Sequence, residues 1–214
     1  MELYLIRHGQ SEGNLHKIVQ GHANFPLSNL GKKQALLVGE AFANVNLDAL
    51  YSSDLDRAIK TAEAIKEHHP HLTLNTWPVL REVGLGPLEG QPREDVLKIY
   101  PFLKHKSILT SGIPGTEQLH EITNRCKITV DYLLSHHKND TVAIVAHGGF
   151  ISILIMYLIA KEHWPNVERP FMIGNTGVTK VTIDRQGVLK VHYVNDTSHL
   201  EDKTNTPFHD TVEK

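Results

Sequence analysis

Glu2-Leu3-Tyr4-Leu5-Ile6-Arg7-His8-Gly9 opens the chain and sets the reading of everything after it. A short apolar run of β-forming residues leads straight into an arginine, a histidine and a glycine. Gly9 has no Cβ to block a close approach to the backbone, and Arg7 offers a planar fork of donors suited to phosphate oxygens. His8 carries the side chain that is both substantially neutral near pH 7 and a good nitrogen nucleophile toward phosphorus. The polar loop Gln10-Ser11-Glu12-Gly13-Asn14 follows. An Arg-His-Gly tripeptide also occurs as an ordinary strand-end turn, so the remaining sequence has to choose between the two.

Working outward, Ser28 is placed to cap a helix whose apolar stripe is Ala35, Val38, Gly39 and Phe42. A second strand around Ala49–Tyr51 passes through Ser52-Ser53-Asp54 into a helix over 54–67, with Leu55, Ala58, Ile59, Ala62 and Ile65 on its inner face and Pro70 beyond its end. A short strand near Thr73–Trp77 precedes Leu80-Arg81-Glu82-Val83-Gly84-Leu85-Gly86-Pro87-Leu88-Glu89-Gly90, too rich in glycine for a regular element and read as a functional loop. Residues 84–116 are expected to leave the core as a small lid or insertion, with a short helix near 94–100. A helix over 117–136 returns to the apolar strand Thr141–Val145, which ends in Ala146-His147-Gly148-Gly149. An apolar helix over 150–159 and two strands near 177–183 and 188–195 complete a single domain over 1–200, leaving a polar tail at 201–214.

Strands alternating with helices predict an α/β fold, a three-layer α/β/α sandwich with a mostly parallel sheet flanked by helices and an antiparallel terminal pair. In such sheets ligands bind beyond the carboxyl ends of the strands, and both His8 and His147 fall there. Composition narrows the function. With 214 residues and a formal net charge of −2, nothing favours nucleic acid or an anionic membrane as a partner. One cysteine, Cys126, rules out an internal disulfide and suits a reducing, cytoplasmic setting, with Cys126 itself read as a small core residue. The longest apolar run, 150–160, falls short of the roughly 20 residues that a membrane span requires. Of the 15 histidines, His68, His69, His71, His136 and His137 are read as solvated helix ends, because no His-x-x-x-His pair with a neighbouring carboxylate suggests a metal site. Neither metal nor cofactor is expected.

Four segments converge on the strand rim: Arg7-His8-Gly9 with Asn14, Arg57 in the first turn of its helix, Glu82 at the head of the glycine-rich loop, and His147. Each has an ordinary alternative. Arg57 alone reads as an exposed helical charge, Glu82 as a loop carboxylate paired with Arg81, and His147 as a turn residue. Their common order and strand-end placement call for a shared phosphate.

Together these residues resemble the histidine phosphatase superfamily, which includes the phosphoglycerate mutases. The resemblance spans nearly the whole chain. It rests on Arg7–Asn14, Gln20-Gly21, Leu27-Ser28-x-x-Gly31-x-x-Gln34-Ala35, Ser52-Ser53-Asp54-Leu55-x-Arg57-Ala58-x-x-Thr61-Ala62, Leu80-Arg81-Glu82, Leu88-Glu89-Gly90 and Ala146-His147-Gly148-Gly149. The ending Asn195-Asp196-Thr197-Ser198-His199-Leu200 is similar to the close of the bacterial broad-specificity phosphatases of the group. The resemblance implies that His8 becomes a phosphohistidine. It also implies that Arg7, Arg57 and His147 hold the phosphoryl oxygens with Asn14, Gln20, Gly21 and Gly148 beside them, and that Glu82 is the proton donor. Glu89 is the rival acid and is given a supporting role in the loop.

Three activities fit such a set. Mutases of the group carry a longer, more basic stretch between the acid and the second histidine. Here that stretch is short, and its Arg93, Lys98, Lys104, His105, Lys106, Arg125 and Lys127 do not follow that pattern. A small lid favours access of water to a phosphohistidine, so the chain reads as a metal-independent phosphatase for a small phosphomonoester. A 2,3-bisphosphoglycerate-dependent mutase is the runner-up, and a non-catalytic phosphoryl-binding module ranks third because nucleophile, acid and second histidine are all present. Lys104-His105-Lys106 reads first as a solvated face and otherwise as a lid patch for an anion. Gly115-Thr116-Glu117 reads as the start of the long helix, with Glu117 near its positive end.

Overall fold

The computed structural model describes residues 1–167 and 171–201. The strands are β1 (Glu2–Arg7), β2 (Ala49–Ser52), β3 (Leu74–Thr76), β4 (Thr141–Ala146), β5 (Val178–Ile183) and β6 (Leu189–Asp196). The helices are α1 (Glu12–Leu15), α2 (Asn29–Phe42), α3 (Asp56–Glu67), α4 (Arg93–Ile99), α5 (Leu119–His136) and α6 (Gly148–Ala160). Among the described residues one mixed sheet runs β3-β2-β4-β1-β5-β6. Pairing is parallel from β3 through β1, while β5 is antiparallel to both β1 and β6. The parallel part of the expectation therefore holds for the first four strands in the order, and the antiparallel pair forms the other edge. Of the polar tail over 201–214, all but Glu201 lies outside the described residues.

The pleat of β1 divides the core. Leu3 and Leu5 point to one face, where they meet α5 and α6 through Ile122, Cys126, Phe150, Ile151 and Leu154. Tyr4 and Ile6 point to the other, toward α2 and α3 through Val38, Phe42, Ala58, Ala62 and Ile65. Alternate residues of a strand face opposite sides, so one apolar run supplies both layers. Each fully buried Leu or Ile contributes about 1.5–3 kcal/mol relative to the exposed side chain. The apolar faces of α2 and α3 lie as their sequence spacing predicts, and α6 is apolar all round because it is buried all round.

Register brings the strand ends level. Arg7 sits opposite Ala146 and Ser52 opposite Val145, so His8, His147 and Ser53 leave the sheet at one rim. The exit from β1 crosses the first turn of α2 in van der Waals contact. A Cβ on Gly9 would strike the Gly31 carbonyl, and one on Gly31 the Gln10 carbonyl. Only glycine allows that crossing.

Several boundaries differ from the sequence reading. α3 begins at Asp56 rather than 54, with Leu55 at the cap position and no side-chain cap of its own; Asn24, far away in sequence, accepts the Asp56 N–H instead at 3.0 Å. α5 begins at Leu119, after a capping box between Gln118 and Glu121, so Glu117 precedes the helix instead of occupying its first turn. His69 is buried, not a solvated helix end: its Nε2 meets the Phe42 carbonyl at 3.0 Å and burial holds its pKa down. His137 is half-buried between Asp140 and the Tyr51 hydroxyl. Cys126 is buried as expected, and burial pushes its thiol up to about 12.

Candidate active site

His8 is 3% exposed at the end of β1. Its Nδ1 lies 2.6 Å from the Gly9 carbonyl. A carbonyl only accepts, so Nδ1 carries the proton and Nε2 keeps the lone pair that a nucleophile needs. Burial, with the charges of Arg57 and Arg7 beside it, holds the imidazole well below the usual histidine range. It therefore stays neutral where an exposed histidine would begin to protonate. The Gly9 N–H donates to Thr61 Oγ1, and the His8 N–H to the Ala146 carbonyl, so the backbone at His8 is fixed to α3 and to β4.

Arg57 is 1% exposed in the first turn of α3, with its donors spread over three partners. Nε reaches His147 Nδ1 at 3.3 Å, Nη1 the Ala23 carbonyl and Nη2 the Gly21 carbonyl, each at 2.8 Å. Burial lowers its pKa to about 10, which still leaves it charged at neutral pH. Each Nη has a second N–H, and those are the donors left for a phosphoryl oxygen. Because Arg57 donates to Nδ1 of His147, Nε2 of that ring is its N–H, and it donates to Ser53 Oγ at 2.8 Å. His147 is fully buried, with its pKa held well below the ordinary value by burial and then by Arg57. The rings of His8 and His147 meet edge-on with centroids 5.1 Å apart.

Arg7 anchors Nη1 on the Ile173 carbonyl at 2.7 Å and lies along Gly148, where a Cβ would sit 3.2 Å from its Nε. Asn14 spends its Oδ1 on the Ser11 N–H and on Asn175 Nδ2, so its amide N–H pair is what remains for an anion. Gln20 is one step removed. Its Oε1 accepts from the Ser11 hydroxyl at 2.7 Å and its side chain fills the space beside Gly13. Gly21 enters through its carbonyl, as one of the clasps on Arg57.

The two glutamates separate clearly. Glu82 lays its carboxylate on the first turn of α6, accepting from Gly149 at 3.0 Å and Phe150 at 2.8 Å, and from its own neighbour Val83 at 2.9 Å. It sits where the helix dipole favours an anion, and its negative charge favours the Arg57 cation, partly offsetting the burial of that guanidinium. Glu89 Oε1 accepts from the N–H groups of His22, Leu85 and Gly86, which folds the glycine-rich loop on itself. Arg81 pairs with Asp54, not with Glu82. The excursion returns over this corner: Leu109 and Glu82 together fill the space that a Cβ on Gly149 would need.

Sequence reasoning missed the residues that carry Glu82. Arg125, named only as one basic residue among several, donates to the carbonyls of Val79, Arg81 and Glu82 at 2.9, 2.7 and 3.2 Å. It also pairs with Glu117, whose Oε2 takes the Gly84 N–H at 2.8 Å. His22 adds a bond to the Glu82 carbonyl at 2.8 Å. Asn175, which braces the His8 carbonyl at 3.1 Å, was missed as well. Glu117 to Arg125 is eight residues, too long for a helical pair, so no local pattern announces the contact. Among the described residues, no group of three or more His, Cys, Asp or Glu is placed to hold a metal ion, and no helix is long and apolar enough to cross a membrane.

The profile of the histidine phosphatase superfamily, branch 1, matches residues 3–197. Phosphoglycerate mutase-like protein 4 of Arabidopsis thaliana is 32% identical over 206 residues, covering 94% of this chain and 87% of the relative. The structure of YhfR from Bacillus stearothermophilus superposes with a TM-score of 0.81 at 26% identity, over 94% of this chain and 99% of the other. The phosphoserine phosphatase of Entamoeba histolytica, solved with 3-phosphoglyceric acid, does so at 0.76 and 28% identity, again over 94% and 99%.

Proposed function

The chain belongs to the histidine phosphatase superfamily, and we propose that within it this protein hydrolyses small phosphomonoesters through a phosphohistidine on His8. The observation that carries the reading is the state of that imidazole. It is buried, neutral, tied at Nδ1 and open at Nε2, between two guanidinium groups. In the first half-reaction the Nε2 lone pair forms a bond to phosphorus while the ester P–O bond breaks. Arg7, Arg57 and His147, with Asn14, Gly148 and the Gln20-Gly21 turn around them, hold the three equatorial oxygens. The leaving alkoxide takes its proton from Glu82. In the second, Glu82 removes a proton from water, whose oxygen attacks phosphorus, and the N–P bond breaks to release inorganic phosphate and restore the lone pair. Phosphoryl transfer asks mainly for positioning and for charge on the equatorial oxygens. Two guanidiniums and an imidazole supply both, which supports a metal-independent and cofactor-free reaction.

The folded chain works in this reading as one domain, with 84–116 as its lid and the cytoplasm as its compartment. Leu109 of the lid lies at the acid corner, and its apolar side chain offers no donor to hold the second phosphate of a bisphosphate. The Arabidopsis relative's name keeps a mutase as the competing reading. Incubation with 3-phosphoglycerate, with and without 2,3-bisphosphoglycerate and EDTA, separates the two. Inorganic phosphate released in EDTA is expected. Bisphosphate-stimulated 2-phosphoglycerate with little free phosphate would make the protein a mutase.

A further inference from the structure

The C-terminal stretch Asn195–Leu200 has no part in the chemistry above, yet it ends directly behind the nucleophile. The route runs through the loop 173–177, which leads into β5. The His8 carbonyl accepts from the Thr176 N–H at 3.3 Å and from Asn175 Nδ2 at 3.1 Å. The Arg7 N–H donates to the Gly177 carbonyl in the same strip. Thr176 holds φ at +53° while fully buried. A β-branched residue rarely adopts that left-handed conformation, and it persists only where the surroundings enforce it.

What enforces it comes from the chain end. Asn195 Oδ1 accepts the Gly174 N–H at 2.7 Å, fixing the near side of the turn. The Thr176 hydroxyl donates to the Asn175 carbonyl at 2.8 Å, so its oxygen is left as an acceptor for His199 Nε2 at 3.0 Å. Burial holds His199 below the ordinary histidine range, so it serves as a neutral donor. Leu200 is buried beside it and keeps the 198–200 turn seated.

We propose that His199, acting through Thr176 and assisted by Asn195, is a positioning residue that fixes His8 for attack. The inference rests on His8 being the phosphoryl acceptor, as argued above. His199 touches neither substrate nor phosphorus, so its effect must appear in the rate of phosphoenzyme formation and not in phosphate binding.

The test is rapid-quench measurement of phosphoenzyme formation from p-nitrophenyl phosphate, whose good leaving group makes little demand on Glu82. His199→Ala is expected to slow that step about 10- to 100-fold, the cost of a misplaced nucleophile. Its competitive inhibition constant for inorganic phosphate should shift by less than about threefold. His199→Gln, which keeps an N–H donor, should recover most of the rate. Thr176→Val keeps the branched shape and removes the acceptor, and should match the alanine variant. The double variant should then be no slower than the slower single one. If His199→Ala does not fold, the glutamine and Thr176→Val variants carry the same comparison. Phosphoenzyme formation at the wild-type rate in His199→Ala, or losses that multiply in the double variant, would overturn the inference alone. Wild-type turnover with no phosphoenzyme would overturn the role of His8 and this inference with it.

Discussion

The two sides of the site are held by different means. His8 stands at the end of a central strand and is positioned largely by main chain, with the Ala146 carbonyl, the Gly177 carbonyl and the Thr176 N–H fixing it and its neighbour Arg7. Glu82 stands on an irregular segment between two short 3-10 turns, and side chains from distant elements hold it there. Arg125 takes three carbonyls around it, Glu117 the Gly84 N–H and His22 its own carbonyl. The end of a central strand is positioned through hydrogen bonds that the sheet makes anyway. A loop lacks those, and its backbone groups must be satisfied by side chains. The proposed nucleophile is therefore embedded in the fold, and the proposed acid is strapped onto it.

On the acid side, the largest expected effect comes with a poor leaving group. Glu82→Gln should lower kcat for an alkyl phosphate about 10²- to 10⁴-fold, and far less for p-nitrophenyl phosphate. Equal losses on both substrates would remove Glu82 from the role of acid. The straps come next. Arg125→Met leaves Glu117 unpaired, where their side chains are only 16% and 12% exposed. A loss of about 2–4 kcal/mol of stability is expected by denaturant titration, with the alkyl phosphate again the more impaired substrate. A variant that loses stability but hits both substrates alike would show the strap to be general scaffolding.

Acid pH addresses the nucleophile side. His8 and His147 both have folded-state pKa values below their ordinary 6.5. As pH falls through 6.5 the unfolded chain takes up protons that the folded chain refuses, so stability should decline with acidification from there. For the same reason the acid limb of kcat/KM should lie below pH 6.5. A limb centred at 6.5 would mean an exposed, ordinary His8. The smallest effect is at Asn24. Asn24→Ala removes the remote cap of α3 and loosens the turn that clasps Arg57, so a loss of about 1 kcal/mol and a modest rise in KM are expected. An unchanged melting temperature would deny the cap.

This contrast also explains what could be read from sequence. A strand running into Arg7-His8-Gly9, a helix opening with Arg57 and a strand ending at His147 are local patterns, and parallel register alone brings their ends together. The straps carry no local signal. Arg125 lies on α5, 43 residues beyond Glu82, and reaches that residue through its backbone carbonyl and not its side chain. Asn24 caps a helix 32 residues away. Glu117 looked like a first-turn helical charge because its role depends on Arg125 and Gly84, which only the folded chain brings to it.

The central claim is a phosphoryl group on one nitrogen of one residue. Brief reaction with p-nitrophenyl phosphate in EDTA, an alkaline quench that preserves phosphohistidine, and peptide mapping by mass spectrometry test it directly. The account predicts phosphate on the peptide containing His8 and none in His8→Ala, which should also lose at least about 10⁴-fold in turnover. Turnover with the phosphoryl group on another residue, or His8→Ala with normal activity, would contradict it.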